Sequence, residues 1–180
     1  MSEPEFSGAD DPGHATITRC AASVAETGEI AATLAAWLET GDVVLLHGDL
    51  GAGKTTFVKG IATGLGIAGT ITSPSFALVN EYQARPGSPF STVYHIDLYR
   101  LFDRAELDSI GFAELVAPED GVTLVEWPER ASGDLPRRFL LVAIDSVGPD
   151  ARSFRISAHP PDQLWVARFA DLQQRLASFS

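Results

Sequence analysis

Cysteine is almost absent: Cys20 stands alone in 180 residues, so neither an internal disulfide nor a multi-cysteine zinc site can form. A reducing, cytoplasmic setting is expected, with Cys20 as an inert buried thiol. Long apolar runs are also missing. The longest, such as Val43–His47 and Phe139–Ile144, fall far short of the ~20 residues of a membrane span. Residues 1–13 hold no basic side chain and no apolar stretch, so no secretory signal is expected there. With Glu3, Glu5, Asp10, Asp11, two prolines and two glycines, they read as a disordered acidic tail ahead of a single domain over 14–180. Basic charge is scarce throughout. Thirteen Lys+Arg against 24 Asp+Glu leave a net charge of −11, about −7 of it beyond the tail. Such a field repels polyanions, so neither DNA nor an anionic membrane is an expected partner.

What is present is the composition of a folded protein, 45% hydrophobic and 21% charged. Ser23 and Glu26 have capping-box spacing, and Ile30, Leu34, Trp37 and Leu38 follow at helical intervals, predicting a helix over about 24–39. Asp42–His47 reads as a buried strand, and residues 54–65 as a helix. Phe76–Gln83 and Thr92–Leu98 read as strands around a Pro/Gly loop, with a short helix over 104–110 after them. Val122–Trp127 is a further strand. Phe139–Ile144 and Ser153–Ala158 form a hairpin about Gly148-Pro149. Trp165, Phe169, Leu172 and Leu176 mark an amphipathic helix over about 161–178. Helices mixed with strands, two pairs of them hairpins, predict an α/β fold whose parallel core is flanked by antiparallel strands.

Gly48-Asp49-Leu50-Gly51-Ala52-Gly53-Lys54-Thr55 matches G-x-x-x-x-G-K-[ST], with a buried strand leading in and a proline-free helix leading out. The glycines let the loop wrap so that successive N–H groups face phosphate oxygens, and the helix start adds its positive end. Lys54 supplies a cation for the β- and γ-phosphates, and the Thr55 hydroxyl suits Mg²⁺. A nucleoside phosphate is the expected ligand. No Asn-Lys-x-Asp segment is present to read guanine, which favours adenine and hence ATP, and the Leu-Ser-Gly-Gly-Gln signature of ABC ATPases is absent.

Three further segments accompany the loop. They are Thr72-Ser73-Pro74-Ser75-Phe76, His95-Ile96-Asp97-Leu98-Tyr99-Arg100, and Leu124-Val125-Glu126-Trp127-Pro128, the last ending an apolar strand with a carboxylate. Together with Gly48–Thr56 they closely resemble the TsaE (YjeE) family, in order, over about residues 23–158. The resemblance implies a three-layer P-loop NTPase-like domain and a cytoplasmic bacterial ATPase using ATP and Mg²⁺. It also implies service in the threonylcarbamoyl modification of adenosine 37 in tRNAs that read codons starting with A. The implied partners are TsaB and TsaD, and tRNA would be reached only through that complex. Glu126 is then a Mg²⁺ ligand with Thr55, and Asp97 acts on the ion's water shell or on the attacking water. Lys54, Asp97 and Glu126 form the implied catalytic set, while Gly48 to Thr56 bind the nucleotide.

Other readings of the same residues stand beside these. Asp97 could bond a nearby backbone N–H, Glu126 could pair with an arginine such as Arg130, and His95 could be a satisfied strand histidine. Trp127 divides between core packing and a role in activity or partner contact. Ser73 and Ser75 could contact the γ-phosphate or merely form a turn. Ser23 most simply caps its helix, though adenine could rest near it and the Gly148 turn. Two rival functions are a nucleotide-gated regulatory module with negligible turnover and a small-molecule P-loop kinase.

Overall fold

A computed structural model describes residues 16–74, 76–161 and 163–179. The proposed tail and Ser75 lie outside the described residues. The elements are β1 (Thr16–Ala21), α1 (Val24–Ala35), β2 (Val43–His47), α2 (Lys54–Gly64), β3 (Val79–Gln83), β4 (Thr92–Asp97), α3 (Arg104–Ser109), α4 (Phe112–Leu115), β5 (Gly121–Glu126), β6 (Phe139–Ser146), β7 (Arg152–His159) and α5 (Gln163–Arg175). They build a seven-stranded sheet of order β1-β7-β6-β2-β5-β4-β3. The four central strands β6, β2, β5 and β4 are parallel, and β7, β1 and β3 add antiparallel edges.

Both faces of the sheet are covered, which is why β2 is apolar without alternation. Val44 and Leu46 face the layer of α1, α2 and α5, and Val43 and Leu45 face the layer of α3 and α4. The first layer is drawn tight at Gly60, where a side chain would bring its Cβ within 2.6 Å of Ala31 Cβ on α1. Ser23 caps α1 by accepting the Glu26 N–H at 3.2 Å, and Glu26 reaches back to the Ala22 N–H at 2.8 Å.

Several expectations need correction. The first strand, β1, carries too short and polar an alternation to be read from sequence, and it is held as an edge by β7. On it Ile17 and Ala21 face inward while Cys20 faces solvent, so the thiol is exposed rather than buried. The strand expected from Phe76 begins only at Val79. Leu78 has φ 62° and donates its N–H to the Pro74 carbonyl at 2.7 Å, and that turn leaves Phe76 88% exposed. The first helix stops at Ala35, and α4 and a 3₁₀ turn over Pro128–Ala131 were not anticipated.

The C-terminal helix α5 passes into a 3₁₀ turn at Leu176–Ser178, and it buries Trp165, Phe169, Leu172 and Leu176. Trp165 stacks on Trp37 at 5.9 Å, and Trp37 Nε1 donates to the Arg168 carbonyl at 2.8 Å. The Arg168 guanidinium forks onto Asp42 at 3.0 and 2.7 Å and covers the Trp37 ring. Arg168→Ala should therefore strand a buried carboxylate at a cost of about 3 kcal/mol. The thermal midpoint should fall by about 6–12 °C, measurable by calorimetry. A shift within 1–2 °C (about half a kcal/mol) would show that this pair does not anchor the helix.

Candidate functional site

Strand β2 delivers residues 48–55 to the C-terminal edge of the parallel strands, where open α/β sheets place their ligands. Gly48 leaves the strand with φ 152°, and a Cβ there would stand 2.4 Å from the Ile144 carbonyl oxygen. Glycine is demanded by conformation and by space. Gly53, at φ 109°, opens α2 with no side-chain cap, so the first-turn N–H groups remain directed at the loop's concavity.

Lys54 is buried and lies back across its own loop. Its Nζ donates to the carbonyls of Gly48 at 2.6 Å and Asp49 at 2.9 Å, and sits 3.6 Å from the centre of the Trp127 ring. Burial lowers the pKa of this amine below its usual value, opposed by the charges of Glu126, Glu129, Asp97 and Asp49. Trp127 holds φ 61°, an uncommon backbone for a residue with a side chain, and its ring also packs against Tyr99 at 4.9 Å. The Trp127 ring packs against the core layer of α3 and α4 and forms a wall of the cleft. Beyond it, burial pushes the Glu129 carboxyl upward. The hydrogen bond from His47 at 3.1 Å, with the His47 and Lys54 charges, outweighs that and leaves it below its ordinary range.

The two carboxylates are cross-strand neighbours: Asp97 ends β4 and Glu126 ends β5 in the same register. Glu126 receives the Thr55 hydroxyl at 3.0 Å to each oxygen, and its Oε1 lies 2.8 Å from Nε2 of the fully buried His95. Its partners are therefore the phosphate loop and a strand histidine, not Arg130. Asp97 accepts the Tyr99 N–H at 3.0 Å, as the local reading allowed, and also the Ser73 hydroxyl, which ties Ser73 to the site. Asp97, Glu126, Thr55, Ser73, Tyr99, Lys54 and Trp127 line a cleft of about 400 Å³ together with Leu50, Gly51, Gly53, Thr56 and Arg100, and His95 lies buried behind it.

The donor set suits magnesium. Among the described residues no three His, Cys, Asp or Glu side chains converge on a metal. Mg²⁺, however, is commonly held by one or two carboxylates with substrate phosphates and water, and Thr55, Glu126 and Asp97 offer hard oxygen at one edge of the cleft. Ser23 and Gly148 do not line this cleft; Ser23 is engaged as a cap, and the Gly148 carbonyl accepts a hydrogen bond from Arg152 at 3.2 Å. Arg152 was missed from sequence, since a lone arginine opening a strand gives no sign of a partner loop a hundred residues away.

The family model described as "Threonylcarbamoyl adenosine biosynthesis protein TsaE" matches residues 21–154. The chain belongs to the TsaE family. The TsaE protein of Bacillus subtilis is 41% identical over 133 residues, covering 74% of this chain and 80% of that one. The TsaE protein of Treponema pallidum is 38% identical over 141 residues, or 78% and 98% of the two chains. Among solved structures, Bacillus subtilis YdiB superposes with a TM-score of 0.71 at 32% identity, covering 89% of this chain and 96% of that one. The TsaE match contains the loop, both carboxylates, His95, Trp127 and Arg152, and ends before α5 begins. No helix among the described residues is long and apolar enough to cross a membrane.

Proposed function

We propose that this TsaE-family protein is a cytoplasmic, Mg²⁺-dependent ATPase that supports threonylcarbamoyl modification of adenosine 37 in tRNA together with TsaB and TsaD. Its family membership supports the pathway. The hydrolytic reading rests above all on one arrangement: the Thr55 hydroxyl on the Glu126 carboxylate, beside a phosphate loop with its own buried lysine.

In this reading the loop N–H groups and the first turn of α2 bind the phosphates. Lys54 exchanges the Gly48 and Asp49 carbonyls for β- and γ-phosphate oxygens. Thr55 and Glu126 would hold Mg²⁺, with Asp97 acting through water, and the bound ion would supply neutralisation of the charge developing at the γ-phosphoryl group. Asp97, fixed by Ser73 and the Tyr99 N–H, orients the attacking water. His95 keeps Glu126 aimed at Thr55. Threonylcarbamoyl transfer is left to the partner complex.

A steady-state phosphate-release assay, with and without TsaB–TsaD, tests the proposal. Turnover that depends on Mg²⁺ is expected. Binding without turnover under both conditions would replace it with a nucleotide-gated regulatory module, and phosphate appearing on an added acceptor instead of in water would make it a kinase. A second expectation concerns RNA. With a net charge of −11, the isolated protein should bind tRNA only weakly at physiological salt, because the counterion-release contribution is missing. Filter binding across a salt series checks this, and tight, salt-sensitive binding by the isolated chain would show that it reaches tRNA directly.

A further inference from the structure

A loop that turns its N–H groups inward turns its carbonyls outward, and those acceptors need donors of their own. Lys54 takes the carbonyls of Gly48 and Asp49. Arg152, the first residue of β7, takes the other side of the loop: Nε donates to Ala52 O at 2.7 Å and Nη2 to Gly51 O at 3.4 Å. Its Nη1 holds the turn between β6 and β7 by the carbonyls of Gly148 at 3.2 Å, Pro149 at 3.3 Å and Ala151 at 2.8 Å. Among the described residues this guanidinium bonds five main-chain carbonyls and no carboxylate, so its fork is spent wholly on backbone shape.

The two cations differ in what binding asks of them. Lys54 must give up its carbonyls to reach a nucleotide's phosphates, whereas Arg152 can keep all of its own. We propose that Arg152 is a positioning residue that holds the phosphate loop in its binding shape while Lys54 is engaged elsewhere, and that it couples the loop to the Val147–Ala151 turn. This rests on the nucleotide-binding reading above. Arginine is required because one ammonium cannot span two backbone segments with this geometry.

The test uses the full chain with Arg152→Met, which keeps the stem without donors, and Arg152→Lys, which keeps the charge without the fork. ADP and inorganic pyrophosphate should both bind about tenfold more weakly to each variant, in parallel, because the loss is in the phosphate cradle. In the unliganded proteins, backbone ¹⁵N order parameters for residues 49–53 and for Val147, Gly148, Asp150 and Ala151 should fall together, from about 0.85 to below about 0.6. Unchanged ADP affinity, or loop order retained in a folded variant, would overturn the proposal, even if the thermal midpoint drops. Should Arg152→Met not fold, Arg152→Lys decides. If the wild-type protein binds neither ligand, the nucleotide reading fails, and the order parameters alone settle whether Arg152 clamps the two segments.

Discussion

Lys54→Ala is expected to lower ATP turnover by about a thousandfold or more while the protein stays folded. The lost group is the one cationic side chain that the Gly48–Thr55 loop carries, and charge developing on the γ-phosphoryl group would lose it. From sequence Lys54 is a phosphate-facing cation and no core side chain; the structure has it buried, with its ammonium on the Trp127 ring and on two loop carbonyls. Alanine therefore also removes a cation–π contact of about 1–2 kcal/mol, offset in part because a desolvated charge disappears with it. Lys54→Met separates the effects by keeping most of the stem. Phosphate release should collapse equally in both variants, and calorimetry should show only a few degrees of loss. Near-native turnover in either folded variant would remove the phosphate-loop assignment.

Glu126→Gln should reduce turnover by at least about a hundredfold and weaken nucleotide binding far less, since the loop N–H groups and Lys54 still hold the phosphates. Glutamine keeps the shape but offers one acceptor where Thr55 and His95 now share two oxygens, and it is a poor ligand for a hard cation. Asp97→Asn should act in the same direction but less, because an amide oxygen can still receive the Tyr99 N–H. Mg²⁺ titrations at saturating ATP read the effect as a raised metal requirement as well as a lower maximum. If both variants match the wild type in rate and in metal dependence, neither carboxylate belongs to the site.

The parts of this site visible in the sequence were those whose chemistry constrains a contiguous run. Gly48 to Thr55 could be read because backbone geometry dictates glycines at fixed steps, and Glu126 because a carboxylate ending an apolar strand demands a partner. Which partner it takes was not readable. Thr55 and His95 meet Glu126 only because β2, β5 and β4 lie side by side, and that adjacency is a property of the sheet. The same holds for Arg152, whose acceptors are main-chain carbonyls and leave no mark on composition. Among the elements, the longer helices followed from apolar periodicity and the buried strands from continuous apolar runs, while the four-residue α4 gave no such signal. The edge strand β1 did not, since its few inward residues acquire meaning only beside β7. Leu78 and Trp127, both with positive φ, set the start of β3 and the end of β5 inside the limits that apolar character alone predicts.

The place of β2 at the middle of the sheet also sets a timetable for the growing polypeptide. The strand before the phosphate loop is hydrogen-bonded on one side to β5 and on the other to β6, which begin only at Gly121 and Phe139. The loop therefore leaves the ribosome well before Glu126, before the Ile144 carbonyl against which Gly48 lies, and before Arg152. Pairings so distant along the chain form late, and until they do β2 is an apolar strand with two open edges, the kind of segment that invites aggregation. The ability to grip phosphate belongs to a chain already synthesised through Arg152, and a product terminated before β7 should be a client of chaperones, unable to be rescued by nucleotide.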